Sequence, residues 1–420
     1  MPNLLIRGGR PLRGAVRVGG RKNSAVAVLP AALLAQSESI IENLPHIDDV
    51  AVYLDILRAM GVKITQHRTG NGTFGLDPSS LSAGIAAPQD LVKRMRASYY
   101  LLGVLLGRFG QAEVCLPGGC DIGSRPIDQH LKGFRALGAE VSQEHGVVKL
   151  KASGGLTGAD IYLDVASVGA TINIMLAAVY ADGTTIIENA AKEPHVVDVA
   201  SYLNAAGARV QGAGTDVIRI KGVTSLPGCT HAIIPDDIEA ATYMMAAGIT
   251  RGDVQIENII PKHLDPISAK LREAGLEVEE NGDWIRVRGV ARPRALHLKT
   301  LPYPGFPTDA GPPMSVLLSL AEGTSVVTEW AHDGRHKHLE ELTRMGANVR
   351  VEGRTAIIEG VKGLSGAPVR ATDLRAGAAL VLAGLAAEGL TEVSGMEHVF
   401  RGYDQMPEKL AKLGADITSA

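Results

Sequence analysis

A chain of 420 residues is too long for one ordinary hydrophobic core, so two domains are expected. A net charge of −3 without any Lys/Arg-rich tract gives no reason to expect nucleic acid or an acidic membrane surface as a partner. Three cysteines make neither a disulfide framework nor a zinc spacing, no apolar run is long enough to span a membrane, and MPNLLIRGGRPLRG lacks the apolar stretch of a signal peptide; a reduced, cytoplasmic, metal-free protein is expected.

From its N-terminal end the chain reads as one unit repeated. An Ala/Leu-rich segment leads through a Gly or polar turn into a short strand, as in AVAVLPAALLAQSESIIENL, TINIMLAAVYADGTTIIENA, ATYMMAAGITRGDVQIENI and AALVLAGLAAEGLTEVSG. These segments are apolar nearly all round, which predicts buried helices. A second helix with one polar face follows, as in DDVAVYLDILRAMG, and should lie outside. It ends in a recurrent hydrophobic-x-x-x-Gly-x-x-Val/Ile pattern, seen in ILRAMGVKI, FRALGAEV, YLNAAGARV, KLREAGLEV, ELTRMGANV and KLAKLGADI. The glycines are Gly61, Gly138, Gly207, Gly275, Gly346 and Gly414, a period of roughly 70 residues. Each stands where a helix should stop and a strand begin, a position suited to a left-handed residue without Cβ. Two α/β domains of three units each, helices inside and sheets outside, are the simplest arrangement.

Polar residues gather at the entries to the buried helices: Lys22-Asn23, Arg94 and Arg96, Ser167 to Thr171, Asp236 to Glu239, Asp309, and Arg375. Capping explains Ser167 or Asp236, but the helix dipole disfavours a cation there, so Lys22, Arg96 and Arg375 read as partners for a ligand's negative charge. Loops after the short strands add Arg125, Arg335 and Arg401. Any one arginine could be a solvated surface residue. Six cations at repeat-equivalent positions suit a polyanionic substrate carrying phosphate and carboxylate. Among the cysteines, Cys115 in AEVCLP and Cys229 in LPGCTHA read as small buried residues. Cys120, among loop glycines with Arg125 close by, reads either as a reactive thiol or as a small residue in a tight turn.

RKNSA, RMRASYYLLG, LPGGCDIGSRPIDQHL, SVGAT, FPTD, ATDLRAGAALVLAG and RGYD, in this order and spacing, resemble the bacterial UDP-N-acetylglucosamine enolpyruvyl transferases along the whole chain. The related transferases acting on shikimate 3-phosphate lack the cysteine loop. The resemblance implies an α/β fold of two inside-out α/β barrel domains, each of three βαβαββ-type units around buried helices. It places one domain at 22–234 and the other at 1–21 plus 235–420. It implies transfer of the enolpyruvyl group of phosphoenolpyruvate to the 3-hydroxyl of UDP-N-acetylglucosamine with release of phosphate, the first committed step of peptidoglycan synthesis, without metal or organic cofactor.

Residue by residue, the resemblance puts Lys22, Asn23, Arg125, Arg335, Arg375 and Arg401 on phosphoenolpyruvate. It assigns Asn23, Arg96, Arg125, Pro126, Ile127, Asp128, Gln129, Ser167, Val168, Gly169, Asp309 and Ala331 to the UDP-sugar. Asp309 matches the carboxylate beside the attacking hydroxyl. Cys120 matches the loop thiol that adds to phosphoenolpyruvate and is the fosfomycin target in the family; with Asp309, Lys22 and Arg401 it completes the implied catalytic set. Several positions depart from the pattern: AGPPM after FPTD, Gly334 before Arg335, Phe400 before Arg401, Asp121 after Cys120, and Val165 in place of a lysine. A paralogous transferase with a different nucleotide-sugar acceptor, or a weakly catalytic UDP-sugar-binding regulator, stays open beside the main reading.

Overall fold

The computed structural model describes residues 3–67, 72–115 and 126–419; Cys120, Asp121 and Arg125 lie outside the described residues. The chain forms two compact units. Of the described residues, 20–67, 72–115 and 126–234 make one, and 3–19 with 235–419 make the other. Each has its own apolar core.

In the first unit the core is filled by the helices Lys22–Ala31, Tyr100–Phe109 and Val168–Ala178; in the second by Asp237–Ile249, Gly311–Ser319 and Leu374–Ala386. All residues of Asp237–Ile249 and of Gly311–Ser319 are buried, so the all-round apolar pattern has its expected meaning. Small residues let these helices approach one another. A Cβ on Gly103 would stand 2.3 Å from the Asn173 carbonyl oxygen of the neighbouring buried helix, so only glycine fits there. The helices Asp48–Ala59, Asp128–Ala136, Pro194–Ala205, Asp265–Glu273, His338–Arg344 and Met406–Lys412 bury only part of their surfaces. The repeat glycines Gly61, Gly138, Gly207, Gly275, Gly346 and Gly414 follow them with φ between 92° and 99°, the conformation that the repeat pattern demands.

The strands correct the barrel expectation. Among the described residues there are five four-stranded sheets and one three-stranded sheet, and none closes on itself. Each sheet has two distinct edge strands. In one, Thr230–Ala232 runs parallel to Ser39–Glu42, which pairs antiparallel with Phe74–Asp77, and Lys63–Gln66 is the far edge. Barrel closure needs edge-to-edge pairing and a continuous stagger of strands. Here each repeat builds a separate sheet of strands three to five residues long, and the apolar face of each sheet is covered by helices instead. The architecture is therefore two α/β units of open mixed sheets around buried helices.

In three of the five four-stranded sheets one strand comes from a distant stretch. Arg13–Arg17 lies parallel to Asp253–Glu257, and Leu4–Arg7 sits between Leu390–Ser394 and Asp416–Ser419. The N-terminal segment thus belongs to the unit formed by residues 235–419.

Candidate active site

In the 20–234 unit, the polar helix entries form two groups. Lys22 opens its buried helix, and its Nζ lies 2.8 Å from Asp49 Oδ2 on the following outer helix. That carboxylate offsets the repulsion between a cation and the helix N-terminus. Asn23 follows Lys22 in the same first turn, partly exposed.

The second group surrounds the Ser167 turn. Ser167 caps the Val168–Ala178 helix by accepting from the Ala170 N–H at 3.3 Å. Gln129 clasps the approach to this turn: its Oε1 accepts from the Asp164 N–H at 2.9 Å and its Nε2 donates to Asp164 Oδ2 at 3.1 Å. Its Nε2 also donates to Asp128 Oδ2 at 2.8 Å. Lys132 pairs with Asp164 Oδ1 at 2.8 Å. Pro126, Ile127 and Asp128 lead into the helix that carries Gln129, with Pro126 and Asp128 exposed. Arg96 begins the short turn Arg96–Tyr99, its guanidinium 5.9 Å from the centroid of the Tyr99 ring. Val165, where a lysine was expected, is 55% exposed.

Sequence reasoning missed what stands behind this turn. Tyr99 meets the His130 ring edge-on at 4.9 Å between centroids. His130 Nδ1 lies 2.9 Å from Asn173 Nδ2, which also donates to the Tyr99 carbonyl at 3.0 Å. Asn173 Oδ1 accepts from the Gly103 N–H at 2.9 Å, tying two buried helices together. Burial, with the nearby Arg96 charge adding to it, pushes His130 down to about 3, so the imidazole is neutral near pH 7. Gly169 fits this packing closely: a Cβ there would stand 2.8 Å from Tyr99 Oη and 2.9 Å from His130. The lone asparagine in the apolar run TINIM was the available signal.

In the other unit, Asp309 is the centre. It lies in the turn Thr308–Ala310 that enters the Gly311–Ser319 helix. Its Oδ1 accepts from Arg335 Nη2, and its Oδ2 accepts from Arg375 Nε at 3.1 Å and Nη2 at 3.0 Å. Both arginines are buried, while the Asp309 side chain is 29% exposed. Arg375 sits in the first turn of the Leu374–Ala386 helix, capped by Asp373, whose Oδ1 accepts from the N–H groups of Arg375 and Ala376. Asp373 Oδ1 is also 3.9 Å from Arg335 Nη1. Burial works against the charge on Arg375, but Asp309, Tyr403 and Asp236 together outweigh it and hold the guanidinium charged. Its Nη1 is buried with no hydrogen-bond partner among the described residues, and its guanidinium lies 5.2 Å from the Tyr403 ring centroid.

Of the remaining candidates, Arg401 follows the short helix Glu397–Phe400, and Ala331 lies exposed in the turn leading to Arg335. Phe400 packs against the core of its unit. Pro312 and Pro313 occupy the first turn of their helix, where missing N–H groups cost no intrahelical bond. Cys115 and Cys229 are partly buried; Cys229 Sγ faces the Tyr202 carbonyl at 3.9 Å, and burial pushes its thiol up, away from reactivity. Among the described residues, no cluster of three His, Cys, Asp or Glu is placed to hold a metal, and no helix is long and apolar enough to cross a membrane.

This fold and its sequence have clear relatives. The family model of EPSP synthase (3-phosphoshikimate 1-carboxyvinyltransferase) matches residues 6–410, and the chain belongs to that family of carboxyvinyl transferases. The protein named UDP-N-acetylglucosamine 1-carboxyvinyltransferase 3 of Caldanaerobacter subterraneus subsp. tengcongensis is 58% identical, with 99% of each chain covered. A Clostridium acetobutylicum protein named UDP-N-acetylglucosamine 1-carboxyvinyltransferase 2 is 54% identical with the same coverage. Among solved structures, the enolpyruvyl transferase NikO from Streptomyces tendae superposes with a TM-score of 0.89 at 31% identity, covering 100% of this chain and 99% of that one. EPSP synthase from Acinetobacter baumannii shares the fold at a TM-score of 0.78 and 21% identity, over the full length of both.

Proposed function

We propose that this protein transfers the enolpyruvyl group of phosphoenolpyruvate to the 3-hydroxyl of UDP-N-acetylglucosamine and releases phosphate, in the cytoplasm, as the first committed step of peptidoglycan synthesis. The reading is carried by identity of 54–58% along practically the whole chain to proteins bearing the corresponding name. The chemistry needs no redox step. A proton adds to the methylene carbon of phosphoenolpyruvate, the acceptor oxygen bonds to the cationic C2, and the hydroxyl gives up its proton. The tetrahedral adduct then loses a methyl proton and expels phosphate, which restores the carbon–carbon double bond.

Arg335, Arg375 and Arg401, with Lys22, Asn23 and Arg125, are proposed to hold the phosphate and carboxylate of the donor and to stabilise the departing anion. Asp309 is proposed to orient the acceptor hydroxyl and take its proton. Arg96, Arg125, Pro126 to Gln129, Ser167 to Gly169 and Ala331 are proposed to hold the UDP-sugar; the N–H groups at the start of the Val168–Ala178 helix suit a diphosphate. Cys120 is proposed as the loop nucleophile or acid.

The test is phosphate release from phosphoenolpyruvate with UDP-N-acetylglucosamine, with shikimate 3-phosphate, and with neither. Release that needs the UDP-sugar, with an enolpyruvyl-UDP-sugar found by mass, is the expected result. Binding of the UDP-sugar without release would overturn it in favour of a regulator, and release only with another nucleotide sugar in favour of a different acceptor.

A further inference from the structure

Glu329 follows the strand Thr324–Thr328 directly and is only 2% exposed. Its Oε1 accepts from the N–H groups of Ala331 at 2.7 Å and His332 at 3.1 Å. Its Oε2 accepts from Thr308 Oγ1 at 2.9 Å. Thr308 in turn offers its carbonyl to Arg335 Nε at 3.3 Å, and Asp309 is the next residue. One buried carboxylate therefore joins two chain segments, the 308–310 turn bearing Asp309 and the 330–335 turn bearing Ala331 and Arg335. The outer side of the second turn is held separately, by Arg354 Nη1 on the Trp330 carbonyl at 2.8 Å and Arg354 Nε on Asp333 at 2.6 Å.

A buried carboxylate is a costly way to fill space, and an apolar side chain of similar size would pack there without the cost. What a carboxylate alone offers is acceptor capacity on both oxygens at once, with charge-assisted bonds that fix geometry closely. Three donors from two segments use that capacity here. Glutamine in its place would reverse the bond to Thr308 Oγ1 and remove the charge that strengthens all three.

We propose that Glu329 is a positioning residue for transfer: it sets the turn carrying Ala331 and Arg335 in register with the turn carrying Asp309, so that the proton-accepting carboxylate and the acceptor-binding turn keep their spacing. The proposal rests on the functional reading above. Glu329 itself touches no reacting atom; it acts through Thr308 and the backbone of the second turn.

Thr308→Val keeps the size of the side chain and deletes only the hydroxyl that reaches Glu329, while Thr308→Ser keeps the hydroxyl. Glu329→Gln weakens the other side of the brace. Steady-state kinetics on these full-length variants should show kcat lowered about 10- to 100-fold in Thr308→Val and Glu329→Gln, with KM for UDP-N-acetylglucosamine raised several-fold, in line with the cost of small misplacements. KM for phosphoenolpyruvate should move less than about twofold, and Thr308→Ser should recover to within about threefold of the parent. The thermal midpoint of Thr308→Val and amide exchange at Ala331 and His332 are read in parallel, with faster exchange expected in Glu329→Gln. Parent-like kinetics in Thr308→Val, or Thr308→Ser no better than Thr308→Val, would overturn the proposal. A parent protein that makes no product instead overturns the functional reading, and unchanged exchange at Ala331 and His332 would then remove the brace as well.

Discussion

Asp309 accepts hydrogen bonds from two buried arginines that are also the proposed donor-binding cations. A donor anion drawn to Arg335 and Arg375 competes with this carboxylate for the same guanidinium donors. Asp309→Asn should therefore do two opposite things. Enolpyruvyl transfer should fall by about 100-fold or more, while inorganic phosphate should bind about tenfold more tightly, since an internal competitor is gone. Titration calorimetry at two salt concentrations checks the second effect: a gain that vanishes at high salt would mean charge removal at a distance rather than direct competition. The sequence marked Asp309, Arg335 and Arg375 as chemistry. It could not show that they hold one another, because the partners lie 26 and 66 residues apart and only the tertiary fold brings them together. Glu329 was invisible for the same reason, as its role comes from the turn it meets and not from its neighbours in TEWAH.

At the scale of elements, helices were far more legible than sheets. Burial of a helix follows from its own composition, and the repeat glycines declare its partners' ends. Whether sheets close depends on which edge strands meet, and three-residue strands such as Asp160–Tyr162 carry too little pattern to say. The capped buried helices also hold charge inside the core. Glu239, one turn into Asp237–Ile249, accepts from Lys409 Nζ at 2.6 Å and from the Gly19 N–H at 3.1 Å. Burial pushes its carboxyl up to about 7 from an ordinary 4.5, against the pull of Lys409. The folded state thus binds a proton that the unfolded state releases between these values. Its contribution to stability is complete below about pH 4.5 and is lost as pH rises toward 7, on the order of a few kcal/mol. Urea midpoints of Glu239→Gln, taken from pH 4.5 to 7.5, should show less decline with rising pH than the parent. An equal decline in both would assign the slope to other groups.

For the whole molecule, connectivity matters more than composition. Residues 20–67, 72–115 and 126–234 have their own core and their own sheets, whereas the other unit draws an internal strand and an edge strand from residues 4–17. A fragment spanning 20–234 should melt cooperatively by circular dichroism. A fragment spanning 235–420 should not, until a peptide of residues 1–19 is added. Cooperative melting of the second fragment by itself would show that Leu4–Arg7 and Arg13–Arg17 are dispensable.

The same strand arrangement sets a timetable for the growing polypeptide. Leu4–Arg7 leaves the ribosome long before its partners Leu390–Ser394 and Asp416–Ser419. At about 5–20 residues per second, this strand waits some 20–80 s with its backbone unpaired. Throughout that interval the 20–234 segment can complete its own core. A strand made early is therefore among the last to find its place.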